Sequence, residues 1–260
     1  MGKVVFWRTL AAAYRLTFGD LRRFVHLCEP WLTAIAGVNV LAAGLALVAD
    51  ADFAFLFLVI ASVPLVLCGF TVFAIGWQRA ILTGARSDRP AGFRFERREW
   101  RFLGYALGIL LIVAGAMTIA TMPITILVGA IVEAAGGSAG DRITVVLVNL
   151  VVMLGGLVGL GRFSLALPSL AIDDAGPVLR RAWERGRGNT FRLSFGPLLA
   201  NLSITAVALP YLELVERVAG NDVTLTILLQ LPLVPLSFLQ LAVPLAFLSL
   251  AYRQLVGSRA

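Results

Sequence analysis

The side chains that could do chemistry in this sequence are few and scattered. His26 is the single histidine; one acid, Glu29, is near it, and no second metal ligand is close in sequence. A metal site or a catalytic triad needs at least two partner groups, so neither is indicated at this position. Cys28 and Cys68 lie far apart and do not form the closely spaced pair of a metal motif.

Asp173 and Asp174 are adjacent carboxylates close to a predicted membrane border. Lipid headgroup chemistry is conceivable there if these acids converge with Arg162 or His26, but neighbouring acids are more typical of a turn. We therefore predict a protein that is not an enzyme, has no metal site and needs no cofactor. An enzyme acting on lipid headgroups is the less favoured alternative.

The composition indicates which elements must position these residues. Apolar residues make up 59% of the chain and charged residues 14%, with a mean hydropathy of +0.90. In soluble domains about 45–50% of the residues are apolar and about 25% are charged. Continuous apolar runs long enough to cross a bilayer predict an all-α polytopic membrane protein with six transmembrane helices. The predicted spans are residues 32–49, 53–78, 103–132, 143–161, 193–212 and 223–251.

The cations are distributed unequally between the connections. Five precede the first span, seven lie between the second and third spans, six between the fourth and fifth, and two follow the last, which is 20 of the 22. The other side has Arg142, Arg217 and seven acids. Because arginine-rich loops stay in the cytoplasm, both termini are predicted to be cytoplasmic. This basic charge indicates attraction to anionic lipid rather than to nucleic acid.

The segment before the first span is predicted to be an amphipathic interfacial helix within residues 1–31, followed by a transmembrane domain over residues 32–260. Its apolar residues recur at intervals of three and four, which places them on one helical face. They are Trp7, Leu10, Tyr14, Phe18, Leu21 and Val25. Packing of this helix on the protein's own cytoplasmic loops is the alternative to lipid contact.

A repeated pattern supports treating this segment as a unit. Residues 13–14, 19–20 and 23–24 (AY, GD, RF) match residues 182–183, 188–189 and 192–193 (AW, GN, RL) at identical spacing, and each copy leads into a pair of spans. Residues 99–103 (EWRFL) retain the aromatic, cationic and apolar types. The chain is therefore interpreted as repeated units of a basic segment followed by a helical hairpin.

Glycines and polar residues within the spans have two predicted uses. Pairs four residues apart allow helix backbones to approach closely in lipid, and the candidates are Gly104, Gly108, Gly155 and Gly159. Asn39, Asn201 and Gln230 are the candidate polar groups of a permease cavity. Prolines 232, 235 and 244 make the last span the place where a broken helix is expected. No Asp, Glu or Lys lies inside a predicted span, which disfavours ion-coupled transport.

Residues 162–174 (RFSLALPSLAIDD), with 182–183 (AW) and 187–193 (RGNTFRL), resemble uncharacterised bacterial inner-membrane proteins grouped with the membrane domain of glycerophosphoryl diester phosphodiesterase. The resemblance covers mainly the fourth and fifth spans and their connection. It implies a six-helix fold of unassigned activity in a bacterial inner membrane. It does not imply phosphodiesterase chemistry, which resides in a separate soluble domain.

Together these patterns predict a non-enzymatic scaffold whose arginine-rich cytoplasmic face contacts anionic headgroups or a cytoplasmic protein partner. A permease for a small or apolar solute or lipid is the alternative. The sequence is also compatible with a homo-oligomer, and it does not identify a cargo or a lipid species. The candidate headgroup contacts are Arg8, Arg15, Arg22, Arg162, Arg187 and Arg192. Arg162 is expected at the membrane border, paired with Asp173, Asp174 or a headgroup, because an arginine at the bilayer centre costs about 2.5–3.5 kcal/mol.

Overall fold

The computed structural model describes residues 4–48, 51–84, 95–134, 156, 158–173, 177–220 and 222–257, and these contain helices and no β-strand. In chain order the helices are α1 (Phe6–Gly19), α2 (Leu21–Val48), α3 (Ala51–Thr83), α4 (Arg97–Ala134), α5 (Ala166–Ala171), α6 (Val178–Gly186), α7 (Thr190–Ala219), α8 (Val223–Leu229) and α9 (Leu233–Gly257). Residues 158–163 are also helical.

Five helices in this part of the chain are long and apolar enough to cross a membrane. They are Leu21–Val48, Asp52–Thr83, Arg97–Ala116, Thr190–Ala219 and Leu233–Gly257, with mean hydropathies between 1.4 and 2.6. They coincide with the predicted first, second, third, fifth and sixth spans. Most of the predicted fourth span, 143–161, lies outside the described residues. The chain is thus an all-helical protein with the helices of a membrane protein.

The boundary predicted after residue 31 does not coincide with the end of a helix. The break lies at Asp20, and α2 then runs without interruption from Leu21 to Val48. Asp20 leaves the helical conformation (φ −119°, ψ 49°), and its carbonyl accepts the N–H of Phe24 at 3.1 Å, which begins α2. Residues 21–31, which were predicted to belong to the interfacial segment, are therefore continuous with the long apolar helix α2.

Helix α1 presents two different faces. Thr9, Ala13 and Thr17 are buried, and α1 packs against α9 and α7 through these small residues. The predicted apolar face is divided: Leu10 is buried, whereas Trp7 is 72% exposed and Phe18 48%. Small side chains occupy the positions that face α7 and α9 because they let the helix backbones approach closely. The large aromatic residues lie on the outer face.

The sequence repeat corresponds to a repeated local structure. In both matched copies a short helix ends and a long helix begins at an Asp or Asn: Asp20 before α2 and Asn189 before α7. The carbonyl of each accepts the N–H four residues on, from Phe24 (3.1 Å) and Leu193 (3.0 Å), and these two side chains are buried. Glu96 begins α4 in the same way, with Trp100 as donor at 3.2 Å.

The predicted last span consists of two helices. Residues 230–232 separate α8 from α9 because Pro232 has no N–H to donate and its ring cannot follow a regular helix. The N–H of Leu233 bonds to the Gln230 carbonyl at 2.9 Å and not to the Leu229 carbonyl, as it would in a continuous α-helix. The Leu229 carbonyl instead accepts the Tyr211 hydroxyl at 2.6 Å. A partner helix thus supplies the hydrogen bond that the break removes, as a low-dielectric environment requires.

Helix α9 forms the centre of the core. Phe238, Ala242, Ala246 and Phe247 have no exposed area. The Trp77 indole N–H donates to the Ala242 carbonyl at 3.0 Å, and aromatic rings of α2 and α3 pack edge-on around the same point. This cluster joins α2, α3 and α9 into one apolar unit.

Among the described residues, close packing against a glycine occurs at Gly196, whereas the predicted glycines have no such neighbour there. No described residue lies within 4 Å of a β-carbon built on Gly104 or Gly108, and Gly159 makes only an ordinary contact with Val113 at 3.6 Å. Gly155 lies outside the described residues. Gly196, in contrast, meets the face of the Phe247 ring directly. The four-residue spacing of glycines did not identify this position, because it depends on which residue the facing helix presents.

We expect Gly196→Val to destabilise the protein, because a β-carbon at residue 196 overlaps the buried Phe247 ring. Overpacking of this kind costs about 1–3 kcal/mol of unfolding free energy. Thermal unfolding of the purified protein in detergent, followed by tryptophan fluorescence, measures the change. Gly37→Val is the matched control, since no described atom lies within 4 Å of its β-carbon position. Equal midpoints for the two variants would contradict the packing described here.

Candidate functional site

The basic segments of the chain meet at one end of the helical bundle. Arg185 of α6 donates to the Tyr252 hydroxyl of α9 at 2.9 Å, and Arg253 of α9 donates to the Ile81 carbonyl of α3 at 3.4 Å. Arg79 of α3 donates to the Ala171 carbonyl of α5 at 3.4 Å. Three separate cation-bearing connections are therefore joined by arginine side chains that bind the ends of neighbouring helices.

Asp173 lies at the centre of one ionic cluster in this region. Its carboxylate is 3.8 Å from Arg79 and 3.6 Å from Arg98, so it bridges the end of α3 and the start of α4. Asp173 has φ +55°, a left-handed conformation that Asp tolerates better than most residues. The acid thus acts as a turn residue and an ion-pair partner, and Asp174 lies outside the described residues.

The start of α4 has its own capping interaction, which sequence analysis did not identify. The Glu99 carboxylate accepts the backbone N–H of Glu96 at 3.0 Å and also lies 3.5 Å from Arg98. A glutamate at the third helical position that bonds back to the cap residue is a capping-box interaction. Glu99 is only 7% exposed, so this acid orients the helix start rather than contacting solvent.

Arg162 is bound differently from the expectation. Its Nε donates to Thr190 Oγ1 at 2.7 Å, and its guanidinium carbon lies 4.4 Å from the centre of the Trp183 ring. Of the three expected partners, Asp173 pairs with Arg79 and Arg98 instead, Asp174 lies outside the described residues, and a headgroup stays a prediction. Neither the Thr190 hydroxyl nor the Trp183 ring carries a negative charge, so these two partners do not neutralise Arg162. The remaining positive charge favours attraction of an anion.

Two polar residues fix the amino terminus against this end of the bundle. The Val4 N–H donates to Asn189 Oδ1 at 3.0 Å, and the Val5 N–H donates to Gln254 Oε1 at 3.2 Å. Arg192 donates to the Val4 carbonyl at 2.7 Å. Asn189 and Gln254 were not predicted as functional residues. The repeat placed Asn189 opposite Asp20, but nothing local in the sequence indicates a partner 185 residues away.

A hollow of about 710 Å³ lies beside this pinned terminus, and we call it the α1–α7 groove. Its walls are the residues Val4–Arg8 on one side and Phe191, Arg192, Phe195 and Leu199 of α7 on the other. Among the described residues its lining contains two arginines and no acid, and the remaining side chains are apolar. The surface of the groove is almost entirely apolar, and the two arginines adjoin it at the basic end of the bundle.

The other candidate headgroup contacts are on the surface. Arg8, Arg15, Arg22 and Arg187 are exposed, whereas Arg162 and Arg192 are half-buried. The structure thus divides the predicted set: four side chains are available at the surface, and two are held in place by neighbouring helices. Of all six, Arg8 and Arg192 line a common hollow.

The candidate permease residues make local contacts. Asn39 donates to the Ile35 carbonyl of its own helix at 2.8 Å. Gln230 lies at the break between α8 and α9, and the buried Oδ1 of Asn201 has no hydrogen-bond partner among the described residues. None of these three residues lines the α1–α7 groove or the smaller hollows near Arg101 and Arg253.

The histidine and the two cysteines do not form a shared site among the described residues. His26 is exposed on α2, Cys28 is buried on the same helix, and Cys68 is on α3. Within the part of the chain that the structure describes, no three His, Cys, Asp or Glu side chains are grouped as metal ligands. Comparison of the chain with protein-family models, with curated proteins and with solved structures finds no match.

We expect Asp173→Asn and Asp173→Val to have different effects on stability. Asn keeps a side chain that tolerates φ +55° and loses only half-exposed ion pairs, each worth about 0–1 kcal/mol. Val loses the same charge and adds backbone strain of about 1–3 kcal/mol. Chemical unfolding of both variants in the same detergent checks this expectation. If the two are destabilised equally, the backbone of Asp173 is not the constraint.

Proposed function

We propose that this protein is a non-enzymatic scaffold of a bacterial inner membrane whose basic cytoplasmic face binds anionic lipid headgroups. The observation that carries the proposal is the convergence of arginines from α3, α4, α6 and α9 on one end of the bundle. Near an anionic membrane surface each such cation is worth about 1 kcal/mol, although salt screens the interaction beyond about 8–10 Å.

The proposal includes six membrane crossings with both termini in the cytoplasm. Five described helices support it directly, and α8 together with α9 forms the last crossing. The proposed fourth crossing, residues 143–161, lies mostly outside the described residues, and its last residues, 158–161, are helical. Helix α1 lies in the cytoplasmic interface, with its Thr9 and Thr17 face on the protein and its Trp7 and Phe18 face toward headgroups.

The resemblance to inner-membrane proteins grouped with the glycerophosphoryl diester phosphodiesterase membrane domain belongs to the same proposal. Its residues 187–193 include Asn189 and Arg192, which bind the first residues of the chain. This arrangement supports a common role for the motif in holding an amino-terminal helix at the membrane border. Such a role requires no catalytic group.

A permease is the second candidate, and the broken helix α8–α9 together with the unpartnered Asn201 Oδ1 favours it. A permease path requires Asn39, Asn201 and Gln230 to share one cavity. The bond from Asn39 to its own helix favours a packing role for that residue instead. The arginine-rich end accounts for more of the described contacts, so the scaffold is the function we propose.

The orientation can be tested with reporter fusions. Compartment-specific reporters fused after residues 52, 137 and 220 should report the extracytosolic side, because they follow predicted outward crossings. Fusions after residues 84 and 257 are the matched controls and should report the cytoplasm. A cytoplasmic signal at any of the first three positions would contradict the six-crossing arrangement.

Headgroup binding can be tested on the intact protein. When it is extracted gently and its lipids are identified by mass spectrometry, we expect anionic phospholipid to be enriched severalfold over the bulk membrane extract. Raising the salt concentration during purification should reduce this enrichment, since screening weakens contacts at exposed arginines. Lipid retained in bulk proportions at low salt would contradict the proposal.

A further inference from the structure

We propose that the α1–α7 groove binds one acyl chain of an anionic glycerophospholipid, while Arg8 and Arg192 hold its phosphate. This inference rests on the proposed headgroup function and assigns it a specific place. The groove volume of about 710 Å³ is within the range of small-molecule pockets, about 300–1,000 Å³. Nonspecific attraction between the basic face and an anionic membrane would require no such hollow.

Charged and apolar residues follow one another along the groove in the same order as the charged headgroup and the acyl chain of a phospholipid. Arg192 lies in the first turn of α7, at the basic end of the bundle, and Phe195 and Leu199 continue the lining along the apolar helix. The residues 191, 195 and 199 are spaced by four and share one face, which extends about 12 Å at ~1.5 Å per residue. A headgroup at the arginines therefore places its acyl chain along this strip.

The arginines retain the capacity to bind a phosphate. The structure gives Arg192 one hydrogen bond, to the Val4 carbonyl; a guanidinium group has five N–H donors. Arg8 is exposed, and no acid from the described part of the chain lines the groove with them. Two guanidinium groups without a neighbouring carboxylate complement a phosphate, to which arginine binds through paired N–H donors.

The amino terminus of α7 also favours binding of an anion in the groove. Asn189 precedes this 30-residue helix and would ordinarily cap it, but its side chain makes no capping bond and accepts the Val4 N–H instead. The partial positive charge of the helix amino terminus is therefore not reduced by a side-chain cap. It adjoins Phe191 and Arg192 of the groove wall.

The binding site is preformed, which favours a defined ligand. Val4 is fully buried and is fixed through both its N–H and its carbonyl, and Gln254 binds Val5 and also donates to Thr9 at 2.9 Å. The Phe191 and Phe195 rings stack with centres 4.1 Å apart. Ordering costs on binding are small when both walls are already held.

The test is a titration of the purified full-length protein with phosphatidylglycerol and with phosphatidylcholine, followed by native mass spectrometry. We expect the double substitution Arg8→Gln with Arg192→Gln to weaken phosphatidylglycerol binding at least tenfold more than Arg101→Gln with Arg180→Gln. The second pair removes the same charge from the same end of the bundle but lies outside the groove. Val5→Trp, which fills the groove and changes no charge, should weaken binding by a similar factor.

Two further results separate this inference from the proposed function. Arg192→Lys keeps the charge and a donor for the Val4 carbonyl but loses the paired donors, so its affinity for phosphatidylglycerol should lie between those of the unchanged protein and of Arg192→Gln. Equal losses for the two double substitutions, or unchanged binding by Val5→Trp, would overturn the groove and leave general headgroup binding intact. If the unchanged protein binds both lipids equally, the proposed function fails as well.

Discussion

The free energy needed to move a guanidinium group into hydrocarbon is the constraint on which this structure depends. That cost is about 2.5–3.5 kcal/mol at the centre of a bilayer even by insertion scales, and larger by other measures. In the five long described helices the arginines lie near the ends, and several of them act there as hydrogen-bond donors. Arg79, Arg192 and Arg253 bind backbone carbonyls, and Arg185 binds a tyrosine hydroxyl. The same groups that define the charged end therefore also hold it together.

The backbone follows a related rule at the α8–α9 break. The Leu229 carbonyl, which loses its partner within the helix there, accepts the Tyr211 hydroxyl, whereas the Asp20 and Asn189 carbonyls accept the first hydrogen bonds of α2 and α7. In water such groups would be solvated at little cost, but in an apolar bundle an unpaired carbonyl costs several kcal/mol. This explains why the prolines of the last span are accompanied by a tyrosine on the facing helix.

Much of the helical layout could be predicted from sequence because hydropathy and helix length are local properties. Continuous apolar runs indicated the five long helices, and Pro232 indicated the break in the last span. The site was less predictable, since its defining contacts join distant parts of the chain. Arg162 was expected to pair with Asp173, Asp174 or a headgroup because its charge is costly to bury, and the described residues that bind it are Thr190 and Trp183. Glycine spacing likewise missed Gly196, whose significance depends on the position of Phe247.

Helix α1 shows why a small number of polar contacts can control a large apolar surface. Its buried face consists of Leu10 and three small residues, Thr9, Ala13 and Thr17, which contribute little apolar area compared with Leu or Phe. The hydrogen bonds of Asn189, Arg192, Gln254 and Tyr14 therefore carry much of its attachment, with the Tyr14 hydroxyl 2.9 Å from the Ala200 carbonyl. Each is worth about 0.5–1.5 kcal/mol, or more where a charge takes part. Because these bonds begin and end on α7 and α9, the position of α1 is coupled to the start of the fifth predicted span. An anion bound by Arg192 would act on that coupling directly, since the same side chain also holds Val4.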